Sequence, residues 1–457
     1  MDSLWPQRLS ILKTDTVKTL TVKDSDFLKN PKHTYRMCCK PNASSKISSL
    51  KVGSDLITSD WEIEKELTNY VKTICGEEQK ENHSDTPYIP TRSNPDYVHN
   101  PHLSNMLTAP TTEETLSMIA DLSDSSPGHD AISPKIIKII STKVWNTRVL
   151  KPKTTIQAEI RNKRYSQQLA TKAKKSGLTE IPKEWITPED TEMTIIGRPT
   201  MFPKLLTRLI NLCLITKDIP KDEKHSIITP IAKSGSQVRD TKNIRPIAVG
   251  PIIARIINKM MARRLADKLT RHSLLDPAQY AFLPGRSIHE PINSILNCLD
   301  DYKNRLGTTL RTGCYIIYYD ISKAYDCIKW SSIERALERL GIDPNFIDFV
   351  MNTLAGSTLA MKTNLSGRTT ERVQMHGAIK QGCPLAPLLF AIVMDELHRG
   401  YRNIGGYQPL AACPKILSRG YCDGTAILSN LSELIKMNDW TKKFMFDHGL
   451  NMLSKPR

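Results

Sequence analysis

No Cys-x-x-C pair occurs among the ten cysteines (38, 39, 75, 213, 298, 314, 327, 383, 413 and 422), and no run of histidines accompanies them at ligand spacing. That excludes a zinc module and a disulfide framework. The N-terminus, MDSLWPQRLS, lacks a basic segment followed by an apolar core, so no secretory signal is expected. No apolar run approaches the ~18 residues that cross a bilayer. Internal repeats and low-complexity tracts are missing as well, which excludes solenoids and arrays. These absences predict an intracellular protein with reduced thiols, in the nucleus or cytoplasm, neither secreted nor held in a membrane.

What is present is a chain of 457 residues, 39% hydrophobic and 24% charged, long enough for two or three domains with sizeable cores. Lysine and arginine number 64 against 47 acids, a net charge of +17. A polyanionic partner follows from that excess, nucleic acid ahead of an acidic membrane surface.

Residues 1–105 are weakly patterned and are expected to be a largely irregular N-terminal region. Its last part, GEEQKENHSDTPYIPTRSNPDYVHNP, carries Pro87, Pro90, Pro95 and Pro101 and is predicted to be a linker. Residues 106–225 begin with a short helix, TTEETLSMIADL, capped by Thr111 or Thr112 and ended by the turn SSPGHDAISP. Within 143–175, ten Lys or Arg face one acid, Glu159; this is a solvated face or a nucleic-acid arm, with the arm modestly favoured.

The segment PIIARIINKMMARRLADKLTR repeats apolar residues at helical spacing (Ile252, Ile253, Ile256, Ile257, Met260, Met261, Leu265 and Leu269), which predicts a core-facing stripe. Arg255, Lys259, Arg263 and Lys268 line another face, where they suit a phosphate backbone or plain solvation.

The chemistry-bearing stretch is TGCYIIYYDISKAYDCIKW, residues 312–330. Its β-branched and aromatic residues predict a strand that delivers Asp320 at its C-terminal end. A carboxylate at the end of a buried strand needs a cationic partner, and Mg²⁺ takes one or two carboxylates plus substrate phosphates. Asp423 lies 103 residues downstream, in the turn between the strands KILSRGY and TAILS. Asp423-Gly424 is a strong two-residue hairpin signal. If the two strands share a sheet, the two aspartates can hold two metal ions for phosphoryl transfer.

The company these residues keep resembles the reverse-transcriptase domain of non-LTR retrotransposons. SSPGHDAISP is similar to the family's Pro-Gly-x-Asp-Gly-Ile turn, with Ala131 in place of its glycine; SIITPIAKSGSQVRDTKNIRPIAV resembles the first fingers motif, and QYAFLPGRSIHEPI the next segment. YYDISKAYD resembles the first catalytic motif, GAIKQGCPLAPLLFAIVMDEL the primer-template grip, GYCDGTAIL the second catalytic motif, and FMFDHGLNMLSK the motif that closes the palm. They occur in the family's order over 122–455, so the basic stretch near 143–200 becomes an insertion between two motifs.

The resemblance implies an α+β fold of right-hand type: fingers and palm over 226–457, with a small antiparallel sheet backed by helices and carrying Asp320 and Asp423. The N-terminal region would be weakly ordered. It implies an RNA-directed DNA polymerase that uses an RNA template, a DNA primer, deoxynucleoside triphosphates and Mg²⁺, with Mn²⁺ as the alternative ion. By the same resemblance Asp320 and Asp423 are the metal ligands, Lys233 and Arg245 bind the triphosphate, and Tyr325 packs beneath the sugar and disfavours a 2′-hydroxyl. Gln381 and Gly382 receive the nucleotide, and Lys455 protonates the leaving pyrophosphate.

Three departures from the family qualify this. Gly424 stands where a second adjacent aspartate is usual, a loss expected to lower rate by ~10² to 10³. Cys383 replaces an aspartate after Gln-Gly, and with the sequence ending at Arg457 no thumb is expected after the palm. The expectation is therefore an impaired polymerase, with an inactive RNA-binding remnant or a domesticated reverse-transcriptase-like protein as the alternative.

Overall fold

The fold is given by a computed structural model, which describes residues 47, 49–52, 55–76, 96–150, 171, 191–232, 240–304, 314–363, 368–408 and 415–452. Along the chain, a hairpin of β1 (Leu50–Val52) and β2 (Asp55–Ile57) leads into α1 (Asp60–Ile74). This helix lies inside the region expected to be irregular. Its Ile63, Leu67, Tyr70, Val71 and Ile74 are buried at helical spacing, a periodicity that is plain once the segment is isolated. Next comes α2 (Thr112–Ala120), whose N-cap is Thr111, accepting from the Glu114 N–H at 3.1 Å.

Residues 136–204 belong to a separate compact unit. There α3 (Pro134–Ser141) passes into β3 (Thr142–Leu150), which pairs antiparallel with β4 (Thr191–Pro199) from Thr142↔Pro199 to Leu150↔Thr191. Most of the basic run 143–175 lies outside the described residues.

The remaining unit contains Asp320 and Asp423. After α4 (Met201–Ile215), strands β5 (His225–Ala232) and β6 (Ile244–Val249) form the antiparallel hairpin of the fingers motif. Then follow α5 (Ile252–Arg271), α6 (His289–Asn304), β7 (Tyr315–Tyr319), β8 (Ile321–Ser322), α7 (Ala324–Cys327), α8 (Trp330–Arg339) and α9 (Pro344–Leu354). Strands β9 (Thr358–Met361) and β10 (Val373–Gln374) complete a four-stranded sheet of order β10-β9-β5-β6, in which β5 and β9 run parallel. The chain continues through α10 (Ala386–Tyr401), β11 (Ser418–Tyr421), β12 (Gly424–Ser429), α11 (Leu431–His448) and β13 (Asn451–Met452), the last paired with β8.

The second sheet, of order β11-β12-β7, is antiparallel throughout. This is the small sheet backed by helices that the resemblance implied. Central strand β12 is buried from Thr425 to Ser429, so it reads as a continuous run and not as an alternation. On one side Tyr319 reaches α11 through a 2.8 Å hydrogen bond to Asn438. On the other, Ile316 and Leu428 pack against Cys298 and Ile295 of α6.

Helix α5 is apolar where expected, with Ile256, Ile257, Met260, Met261, Leu265 and Leu269 buried. Its N-terminal amides find distant carboxylates: Ile252 N–H donates to Asp130 at 2.8 Å and Ala254 N–H to Glu223 at 3.0 Å. Asp130 comes from the SSPGHDAISP turn, which docks closely. A side chain at Gly128 would begin 2.6 Å from the Gly250 carbonyl oxygen. Beside Asp130, Ala131 sits at φ 55°, a left-handed conformation that explains why a glycine suits this position.

Ala131→Gly should stabilise the chain by about 1 kcal/mol in chemical denaturation, since the left-handed conformation costs an L-residue roughly that much. His225 is buried, its Nδ1 2.8 Å from Thr358 Oγ1; burial above all, then Arg372, His129 and Lys380, hold its imidazole down to about 4 from the ordinary 6.5. Between those values the unfolded chain binds a proton that the folded chain does not. Stability is thus full above pH 6.5 and is lost as the pH falls through 4. Thermal melts across that window should lose less for His225→Gln than for the wild type.

Candidate active site

The site is built at one end of the β11-β12-β7 sheet. Asp320 directly follows β7 and is exposed; Asp423 directly precedes β12 and is half-buried. Because β7 and β12 are antiparallel, with Thr425 opposite Tyr319, both aspartates stand at the same sheet edge. The register continued by one residue sets Asp320 across from Gly424.

The hairpin differs by one residue from the sequence expectation. Tyr421 pairs with Gly424, so the two turn residues are Cys422 and Asp423, and Gly424 already belongs to the strand. Cys422 carries the positive φ of 58°, while Gly424 adopts an ordinary strand conformation. The left-handed position falls on the first turn residue alone, the pattern of a II′ turn. A side chain at Gly424 would meet only the Tyr421 carbonyl oxygen, at 3.5 Å. The backbone therefore does not require glycine there.

Tyr325 lies beneath this turn. Its ring stacks on Phe390 of α10 with centroids 5.3 Å apart, and its hydroxyl is 4.0 Å from Cys422 Sγ. Burial, then Cys422 and Asp423, push the phenol well above its ordinary range, so it stays neutral.

Gln381 and Gly382 join β6 to α7. Gln381 donates through Nε2 to Asp326 at 3.1 Å, and its carbonyl accepts from the Ala248 N–H of β6. Gly382 has φ +114°, and a side chain there would begin 2.5 Å from the Ala248 carbonyl oxygen. Here the glycine is obligatory. Lys380, one residue earlier, donates to the Lys224 carbonyl, and burial lowers its ammonium to about 8. Neither Lys380 nor Phe390 stood out in the sequence, since a lysine beside a turn and an apolar helix residue carry no signal of their own.

Arg245 is exposed on β6, opposite Ile231. Lys233 and Lys455 lie outside the described residues. The basic face of α5 points toward residues 102–126. Arg255 donates to Ser125 and Ser126, Lys259 to the Asp121 carbonyl, Arg263 to Ser117 at 3.1 Å and Asp121 at 3.3 Å, and Lys268 to the His102 carbonyl at 3.3 Å. Arg255, Lys259 and Arg263 also line an open cavity of about 630 Å³ that includes Phe282, Gly382 and Pro384.

As for a metal, no group of three or more His, Cys, Asp or Glu stands together among the described residues. Two carboxylates at one sheet edge fit a hard cation that completes its shell with substrate oxygens.

A family model described as reverse transcriptase (RNA-dependent DNA polymerase) matches residues 224–454, which is half of the chain. This chain belongs to the reverse-transcriptase family. It is 29% identical over 234 residues to the retrovirus-related Pol polyprotein from type-1 retrotransposable element R2 of Popillia japonica, covering 51% of this chain and 31% of that protein. It is 30% identical over 195 residues to the corresponding polyprotein from type-2 retrotransposable element R2DM of Drosophila melanogaster, covering 43% and 17%. The reverse transcriptase here is thus a domain of the non-LTR retrotransposon kind, and the chain spans less than a third of either relative's length. Among solved structures it is similar to apo telomerase of Candida tropicalis truncated from its C-terminal domain, with TM-score 0.38 and 13% identity over 59% of this chain and 58% of that one. Reverse-transcriptase domains generally use divalent metal ions.

The two glycines of the site predict opposite outcomes on substitution. Gly382→Ala should destabilise the reverse transcriptase by about 1 to 3 kcal/mol, from strain and the approach to Ala248. Gly424→Ala should change stability by no more than about 0.5 kcal/mol. Urea denaturation of the two variants checks both.

Proposed function

We propose that this chain is a module for RNA-directed DNA synthesis whose nucleotidyl transfer is impaired at Gly424. One observation carries the reading: Tyr319 pairs with Thr425, so the same register continued by one residue sets Asp320 across from position 424, which has no carboxylate although its backbone accepts one. Directly opposed residues in an antiparallel pair have Cβ atoms about 5 Å apart. An aspartate there would add its charge to the same cation site.

In the proposed reaction the primer 3′-hydroxyl attacks the α-phosphorus of a deoxynucleoside triphosphate and pyrophosphate leaves. Asp320 and Asp423 would hold Mg²⁺, or Mn²⁺, whose positive charge when bound favours the charge developing on the phosphoryl oxygens. Tyr325, fixed by Phe390, presents a rigid wall beneath the sugar and excludes a 2′-hydroxyl. Gln381 and Gly382 bring backbone close to the nucleotide, with Gln381 oriented by Asp326. Arg245 and Lys233 are assigned to the triphosphate and Lys455 to protonation of pyrophosphate, as their motifs imply.

The RNA template is assigned to the cavity beside Gly382, where Arg255, Lys259 and Arg263 supply positive charge. Their hydrogen bonds to residues 117–126 preorganise that wall, and Lys268 acts through its contact with His102. Such a surface gives salt-sensitive RNA binding. No helix among the described residues is long and apolar enough to cross a membrane; action in the nucleus or cytoplasm is the setting we assign. The same glycine favours a second reading, an RNA-binding remnant or domesticated protein without turnover.

Primer extension on a homopolymer RNA template separates them. Gly424→Asp should raise incorporation by ~10² to 10³ over a weak wild type. It should also melt higher with Mg²⁺ than without by a larger margin than the wild type, because the ion binds only the folded site. Robust synthesis by the wild type would overturn the impairment; a variant that binds RNA and stays inert would favour the remnant.

A further inference from the structure

Beneath the catalytic hairpin lies a buried histidine that the reaction does not use. His398, on α10, is 1% exposed, and its Nδ1 is 2.9 Å from the hydroxyl oxygen of Ser418, the first residue of β11. Its ring lies against the backbone of Gly420. A side chain at Gly420 would begin 2.3 Å from His398 Nε2, so the imidazole occupies the space that any other residue at 420 would fill. Nε2 itself has no hydrogen-bond partner.

That unpartnered nitrogen is informative. A leucine or methionine would fill a buried helix position without an orphaned polar atom, and such orphans are uncommon enough to need a reason. The hydrogen bond to Ser418 supplies one, since it fixes β11 along the helix. From the other side, Gly420 donates to the Ala278 carbonyl at 2.9 Å and accepts from the Tyr280 N–H at 3.1 Å. That segment is anchored in turn to α10, because the Asp276 N–H donates to Asp395, which is fully buried and also accepts from Arg339 at 2.9 Å and Arg399 at 2.6 Å. Strand β11 is therefore clamped between one turn of α10 and residues 276–280.

We propose that His398 is a positioning residue: by seating Ser418 and Gly420 it sets where the next turn of chain, Cys422–Asp423, holds the Asp423 carboxylate. The inference rests on the assignment of Asp423 as a metal ligand. A cation held by two carboxylates on different strands is sensitive to the spacing between those strands, and supporting groups behind metal ligands commonly alter affinity by about 10- to 100-fold.

The test uses the full chain with His398→Leu and His398→Asn, of which the asparagine keeps a polar atom near the Nδ1 position. Mn²⁺ affinity is followed by electron paramagnetic resonance, and exchange of the 416–424 amides by mass spectrometry. His398→Leu should weaken Mn²⁺ binding about tenfold and speed exchange of the hairpin, and His398→Asn should restore most of both. A folded His398→Leu chain with unchanged Mn²⁺ affinity and unchanged hairpin exchange would overturn the proposal, as would equal losses in the two variants. If His398→Leu does not fold, Ser418→Ala removes the hydrogen bond alone and should cause a smaller loss of the same kind; no loss would count against His398. Asp423→Ala is the control on the functional reading. If it binds Mn²⁺ as well as the wild type does, that reading fails, and hairpin exchange alone then decides the role of His398.

Discussion

Burial of helix Ala386–Tyr401 constrains the whole candidate site. Twelve of its sixteen residues are buried, so it cannot slide or turn without disturbing packing on several sides at once. Phe390 lies under Tyr325, Asp395 gathers Arg339 and Arg399, His398 seats the hairpin, and Gly400 admits the Trp440 ring of α11. A side chain at Gly400 would begin 2.2 Å from that ring. The helix thus fixes the spacing between Tyr325 and the Cys422–Asp423 turn.

The second constraint is the close approach at Gly382. A backbone amide of the fingers sheet meets the Gln381 carbonyl there, while the Gln381 side chain reaches Asp326 near Tyr325. The proposed transfer would depend on such preorganisation, because small displacements of reacting groups lower rate steeply.

Against that frame, Gly424 is an electrostatic change within a hairpin whose shape it does not determine. The turn takes its left-handed residue at Cys422, and position 424 has ordinary strand geometry with space beside it. Fold and charge are therefore separable at this site. The reverse-transcriptase fold therefore does not depend on which residue occupies position 424, and family membership and turnover are distinct statements for this chain.

Much of the fold was legible in the sequence. The apolar stripe of 252–271, the strand ending at Asp320, the cap at Thr111 and the order of motifs are all local patterns, set by residue type and spacing. Helix Asp60–Ile74 carries the same kind of pattern but was obscured by the polar linker after it. The hairpin was off by one residue because Asp-Gly is a strong local turn signal, while register is set by which residues of β12 are buried against β7. The partners of Arg255, Lys259, Arg263 and Lys268, the close approach at Gly382, and the seating of Gly420 on His398 join residues 22 to 166 positions apart. Sequence by itself determined the elements, the family and the carboxylate inventory, because these depend on short-range periodicity and motif identity. Only the tertiary structure decided which cations already have partners, which glycine is indispensable and what holds the Cys422–Asp423 turn, because packing brings together groups that no spacing rule connects.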